Sequence, residues 1–258
     1  MSNHNVGAIA CTIIGCLTFV MTGCKHSGIT THASAMSEPI KSKTPPTFMN
    51  SESTKILMIG NSHTGTGMVQ STVQKYVEYE TQKMVEIRAV FVPFLSDAVN
   101  RSDVSELMGR ADIIVFQGQK LSQSHKYIYS TDEAIKLANN AKDAGKTVLW
   151  FAEWPRRAVE ETKYIEDIYA GISKASTGKI VPTGRVFDFV AKEFPRRELY
   201  SADGNHASQD GSFYAGLAIA SFCVGGFKSS DLPLPNSIDE KEFRSVLDYI
   251  QSLNKADK

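Results

Sequence analysis

The sequence predicts an α/β fold in three layers, with helices on both faces of a central parallel sheet. Two observations carry this expectation. Short unbroken apolar runs, such as Ile56-Leu57-Met58-Ile59 and Ile113-Ile114-Val115-Phe116, have the composition of strands covered on both faces. Between such runs lie longer segments whose apolar residues recur at helical spacing, and strands alternating with helices build a parallel sheet. Sheets of this kind bind ligands at the carboxyl ends of their strands.

In chain order, the run 56–59 is the first strand. Residues 67–83 set Met68, Val69, Val73, Tyr76 and Val77 along one helical face. Val85, Ile87, Ala89 and Phe91 alternate with other residues, the period of a strand with one apolar face. The run 113–116 is the third strand. Ser130 and Glu133 make a capping-box pattern that opens a helix, and Gly145 suits its end. Residues 147–151 give the fourth strand and 156–175 a long helix with a polar face. A short strand at 179–182 and a short helix at 186–194 follow. The last helix opens at the capping box from Ser237 to Glu240. It carries Phe243, Val246, Leu247, Ile250 and Leu253 on one stripe.

The chain has 258 residues, 42% of them hydrophobic, which suits one domain with a large core and some extra chain. Its 28 basic and 28 acidic residues balance, so nothing points to nucleic acid as a partner. Three of the cysteines, Cys11, Cys16 and Cys24, crowd the first 24 residues, which argues against a disulfide framework for the domain. Cys223 reads as a buried small hydrophobe. Residues 6–21 are apolar or small and stop short of the ~20 residues a membrane span needs, as the core of a signal peptide does. The expected organisation is a signal peptide at 1–23, a flexible tether at 24–53 rich in Ser, Thr, Lys and Pro, and a folded domain at 54–258. Met21-Thr22-Gly23-Cys24 resembles the lipobox of bacterial lipoproteins. That resemblance implies export, lipidation of Cys24 and a place in the bacterial cell envelope, held to a membrane by the lipid anchor.

Gly60-Asn61 ends the first strand and Ser62 follows at once, which puts a hydroxyl at the mouth of a buried strand. A serine becomes a nucleophile when a base takes its proton, and a histidine held by a carboxylate is the usual base. Asp203 and His206 stand three residues apart around Gly204. On one tight turn the carboxylate can accept from the imidazole Nδ1–H and leave Nε2 to face Ser62. No His-Glu-x-x-His or paired-cysteine spacing indicates a metal, and no residue pattern asks for a cofactor. The Gly-x-Ser-x-Gly elbow of ordinary α/β-hydrolases is missing.

Gly60-Asn61-Ser62-His63-Thr64 resembles the first conserved block of the SGNH (GDSL-type) hydrolases, with Asn61 where Asp is more common. Asp203-x-x-His206 resembles their last block. The stretches from Ser208 to Ala215 and from Val181 to Arg185 resemble one bacterial branch of that superfamily, so the likeness spans about residues 54–225. The resemblance implies a flavodoxin-like SGNH fold with Ser62 as nucleophile, His206 as general base and acid, and Asp203 orienting it. The Ser62 N–H is the first implied oxyanion donor. The second maps to 92–97, where no glycine stands and Leu95 or Ser96 must serve. The third maps to the end of 113–116, where Gln117 and Gln119 replace an asparagine. Asn61, His63 and Trp154 are expected at the substrate. The implied activity is hydrolysis of acyl or acetyl esters, O-acetylated carbohydrate among them, through an acyl-enzyme; transfer to an alcohol would use the same residues. Loss of one oxyanion donor costs about 100- to 1000-fold in rate. The altered donor positions therefore support a second reading, a weak or inactive scaffold that binds a glycan or another cell-envelope ligand.

Overall fold

The computed structural model describes residues 53–256. The expected signal peptide, Cys24 and the tether up to residue 52 lie outside them. The strands β1 (Thr54–Gly60), β2 (Val85–Phe91), β3 (Ile113–Phe116), β4 (Thr147–Ala152) and β5 (Lys179–Pro182) pair in parallel throughout, in the order β2-β1-β3-β4-β5. The helices are α1 (Ser62–Gly65), α2 (Val69–Thr81), α3 (Ser102–Arg110), α4 (Asp132–Asp143), α5 (Thr162–Ala175), α6 (Thr183–Glu193), α7 (Gln209–Cys223) and α8 (Glu240–Ala256). Strand order reverses between β1 and β3, and the crevice beyond their carboxyl ends is where such sheets bind ligands. Among the described residues, no helix is long and apolar enough to cross a membrane.

Successive strand residues point to opposite faces and fill two cores. Ile56, Met58, Val115, Leu149 and Phe151 pack with α2, α6, α7 and α8. Leu57, Ile59, Ile114, Phe116, Val148 and Trp150 pack with α3, α4 and α5. Full burial of a side chain of this size stabilises by roughly 1.5–3 kcal/mol, which is why strands without a polar face are tolerated only here. Helix α7 is buried from Gly211 to Phe222. At Gly216 a Cβ would stand 2.8 Å from the Val69 carbonyl oxygen and 2.7 Å from Thr72 Cβ, so only glycine lets α7 and α2 approach this closely.

The structure departs from expectation in several places. Helices α3 and α7 have no counterpart in the sequence reading. Because α7 is apolar all round, it has no stripe to betray it; its signal is the N-cap, where Ser208 Oγ accepts from the Gly211 N–H at 3.0 Å. Helix α5 begins at Thr162 and not at 156, because Ala158 takes a left-handed φ of +59° and Glu161 binds the Arg156 N–H. Helix α6 begins three residues earlier than 186, directly after β5. Phe91 is exposed, since β2 is an edge strand. The acceptor at the start of α8 is Asp239, which takes the Glu242 N–H, while Ser237 bonds Asp210. Cys223 is half-buried at the end of α7.

Candidate active site

Strand β1 delivers Ser62 through a loop braced from below. Gln117, directly after β3, uses its Oε1 to accept from the Asn61 N–H at 2.9 Å and from the Thr64 hydroxyl at 3.0 Å. A Cβ at residue 60 would lie 2.5 Å from that Oε1 and 2.3 Å from Thr64 Oγ1, so the brace requires glycine. Asn61 caps α1, its Oδ1 accepting from the His63 N–H at 3.0 Å. Ser62 is left exposed on the first turn.

The facing element is a tight hairpin. Tyr200 and Ala207 form an antiparallel bridge, and Ser201 N donates to His206 O at 2.9 Å. Inside it the Asp203 carboxylate is shared. Oδ1 accepts the N–H groups of Asn205 and His206 at 2.9 Å each, while Oδ2 lies 2.5 Å from His206 Nδ1. Gly204 makes the turn possible at φ +69°. The bond from His206, then the two backbone N–H groups, hold the Asp203 carboxyl well below the usual carboxylate range. His206 Nε2 stands 2.8 Å from Ser62 Oγ. Residues 144 positions apart thus form an aligned row of carboxylate, imidazole and hydroxyl.

The four side positions expected to donate to an oxyanion do not fare alike. Gln117 is wholly buried, with Oε1 committed to the serine loop, so its amide does not reach the mouth. Gln119 Nε2 donates to the Ser130 carbonyl at 3.0 Å. The Leu95 N–H donates to the Gly118 carbonyl at 3.0 Å. Backbone carbonyls take the Gln119 and Leu95 donors that a substrate oxygen would need, while the Gln117 Nε2 donor has no close partner but is buried under the serine loop. The Ser96 N–H, in the 3₁₀ turn Leu95–Asp97, has no backbone acceptor among the described residues. The Ser62 N–H is likewise open, whereas those of Asn61, His63 and Thr64 are all bonded.

Beside the serine lies a cavity of about 190 Å³, with Asn61, His63, Trp154, Arg156 and Asn205 among its walls. Trp154 is almost fully buried; its Nε1–H donates to the Asn205 carbonyl at 2.9 Å and its ring stacks on Phe187. The His63 ring is 5.0 Å from that of Trp154 and 5.4 Å from that of His206. Burial, then the neighbouring His206, lowers the His63 pKa to about 4, so it is a neutral ring. Arg156 is pinned at the cavity wall by Glu161, which accepts from its Nε and Nη2.

A second buried set lies under the floor and was not singled out in the sequence. Tyr169 donates to Glu153 Oε2 at 2.8 Å and accepts from the N–H groups of Gly118 and Gln119. Burial pushes the Glu153 carboxyl up to about 7 and the Tyr169 hydroxyl well above its ordinary value. Gln117 Nε2, buried without a close hydrogen-bond partner, lies near enough to Glu153 to favour its ionised form slightly. The available sequence signal was a lone acid, Glu153, directly after an apolar strand end at the ligand-binding edge.

No protein-family model matches the chain. No curated protein matches it at a significant level. Solved structures do. A DUF4886 family protein from Bacteroides uniformis aligns with a TM-score of 0.56 at 16% identity, over 80% of this chain and 97% of its own. A candidate SGNH hydrolase from Slackia heliotrinireducens aligns with a TM-score of 0.50 at 21% identity, over 66% of this chain and 98% of its own. A Clostridium thermocellum family 3 carbohydrate esterase aligns at 0.50 and 13% identity, over 64% of this chain and 92% of its own. At these identities the likeness concerns the fold: a three-layer α/β/α sandwich of the SGNH hydrolase type.

Proposed function

From that shared fold, we propose that the chain is a serine esterase acting on short acyl esters, O-acetylated carbohydrate first among them. The observation that carries the reading is the row Asp203–His206–Ser62, with contacts of 2.5 and 2.8 Å. Ser62 Oγ attacks the ester carbonyl carbon while His206 Nε2 takes its proton. The tetrahedral oxyanion collapses, and the leaving alkoxide carries that proton away as the alcohol. Water then attacks the acyl-enzyme, again giving a proton to His206, and the acid leaves as Ser62 regains its hydrogen. Asp203 keeps the imidazole in the tautomer with hydrogen on Nδ1 and stays ionised throughout. The Ser62 N–H is the first oxyanion donor, with the Ser96 N–H as the candidate second.

Two features support a small acyl group. The cavity of about 190 Å³ is below the roughly 300–1,000 Å³ of sites for drug-sized ligands. Its walls mix polar groups, Asn61, Arg156 and Asn205 among them, with apolar ones such as Leu121 and Ile165, a lining that can take a hydroxylated alcohol beside a short acyl group. The similarity to a carbohydrate esterase fold is in keeping with this substrate class. The lipobox-like Met21 to Cys24 extends the proposal to an exported, lipid-anchored protein of the cell envelope, which labelling with a radioactive fatty acid in wild type and Cys24→Ala tests.

The second reading, a binding scaffold, is favoured by one observation: the Gln119 and Leu95 donors are bonded to backbone carbonyls, and the Gln117 amide is buried under the serine loop. A fluorophosphonate probe separates the two. Labelling of wild type but not of Ser62→Ala supports the esterase. A folded wild type that stays unlabelled from about pH 6 to about pH 9 leaves the binding scaffold.

A further inference from the structure

We infer that His63 is a positioning residue for the catalytic imidazole, a role that rests on the esterase reading above. Phe187, Trp154, His63 and His206 form a continuous series of ring contacts leading from the core to the base. Trp154 lies on Phe187 with centroids 4.9 Å apart and an interplanar angle of 7°. His63 meets Trp154 at 5.0 Å, and His206 meets His63 at 5.4 Å and 28°. His63 Nδ1 lies 3.0 Å from Asn61 Oδ1, and the backbone of Asn205, whose carbonyl accepts from Trp154 Nε1, lies close to the ring. The Nδ1 edge is therefore already in use, and the ring face is what meets His206.

The His206 ring has its two nitrogens bonded to Asp203 and Ser62, so its face is steadied by packing and not by a further hydrogen bond. A neutral ring against its face supplies that packing without placing a second cation beside the imidazolium that forms during the reaction. A Lys or Arg at the same place would supply contact with the wrong charge.

The test compares His63→Ala, His63→Phe and His63→Gln with wild type and with Ser62→Ala as the blank, on a short-chain acyl ester. A misaligned base costs about 10- to 100-fold. His63→Ala is expected to lose that much kcat with KM within about twofold. His63→Phe, which keeps the ring, recovers most of it, and His63→Gln, which keeps only the polar contact, does not. Unchanged kcat in His63→Ala, or a change confined to KM, overturns the proposal; a fall in Tm with unchanged kcat per labelled site marks a merely structural residue. Nuclear magnetic resonance of the histidine rings gives a second readout that needs no turnover. Proton Overhauser effects are expected to show a His63–His206 ring contact in wild type, and nitrogen-15 shifts a mixed His206 tautomer in folded His63→Ala. An absent ring contact in folded wild type sinks the idea by itself. If wild type hydrolyses no ester, the esterase reading fails, and these ring signals still decide the positioning.

Discussion

Glu153 offers a quantitative test of the buried network under the serine loop. Its carboxyl has an ordinary value of 4.5 and is pushed up to about 7 by burial, so the folded state holds a proton that the unfolded chain releases. Below pH 4.5 both states carry the proton and stability is intact. Between 4.5 and about 7 only the unfolded chain ionises, so stability falls by about 1.4 kcal/mol per pH unit. The full loss, over an interval of about 2.5 pH units, is about 3 kcal/mol, complete once the folded carboxyl ionises too. Glu153→Gln removes the titration and can still accept from the Tyr169 hydroxyl. Its stability relative to wild type is expected to rise by about 3 kcal/mol between pH 4.5 and about pH 8. Every other titrating group cancels in that double difference. Urea unfolding followed by tryptophan fluorescence measures it, since both tryptophans, Trp150 and Trp154, are buried. If the gap between the two proteins moves by less than about 1 kcal/mol over this range, the carboxyl is not the proton trap described.

Three further outcomes are expected. Gly60→Ala drives a methyl into Thr64 Oγ1 and Gln117 Oε1, and is expected to lower Tm with a loss of about 1–3 kcal/mol and to slow probe labelling of Ser62; a fully active, equally stable variant contradicts the brace. Asp203→Asn keeps an acceptor for the turn but supplies the wrong tautomer control, so kcat should fall by about 10⁴-fold at near-wild-type Tm, which steady-state rates and a thermal melt check together. Arg197 joins Glu242 and Asp210, and Glu242 also takes the Tyr214 hydroxyl; Arg197→Met strands that buried carboxylate and is expected to cost about 3–5 kcal/mol in urea unfolding.

Much of the fold was legible because burial on both faces writes itself as unbroken apolar runs. Ile56 to Ile59 and Ile113 to Phe116 fall within strands as expected, and α8 carries its stripe where the spacing put it. Periodicity speaks only where a segment has a wet side, and α7 has none, so its apolar sequence carried no helical signature. The left-handed Ala158 that delays α5 lies inside the short loop that the Arg156–Glu161 contact closes, and no glycine marks it in the sequence. At the site, the meeting of Ser62, Asp203 and His206 was foreseeable because each comes with a short, order-specific context. The orientation of the glutamines was not, because sequence gives a side chain's chemistry and not its direction. Gln117 has the donor chemistry expected of it, yet it points under the loop and serves as an acceptor.

Asp203 spends one oxygen on the backbone of its own turn and the other on the imidazole. The His206 amide proton can exchange with solvent only when the first oxygen lets go, and the geometry that holds the ring goes with it. Hydrogen exchange at that single amide would therefore count the fraction of time the imidazole is out of line with Ser62. A ligand that slowed it would be acting on the proposed triad even if it never touched Ser62.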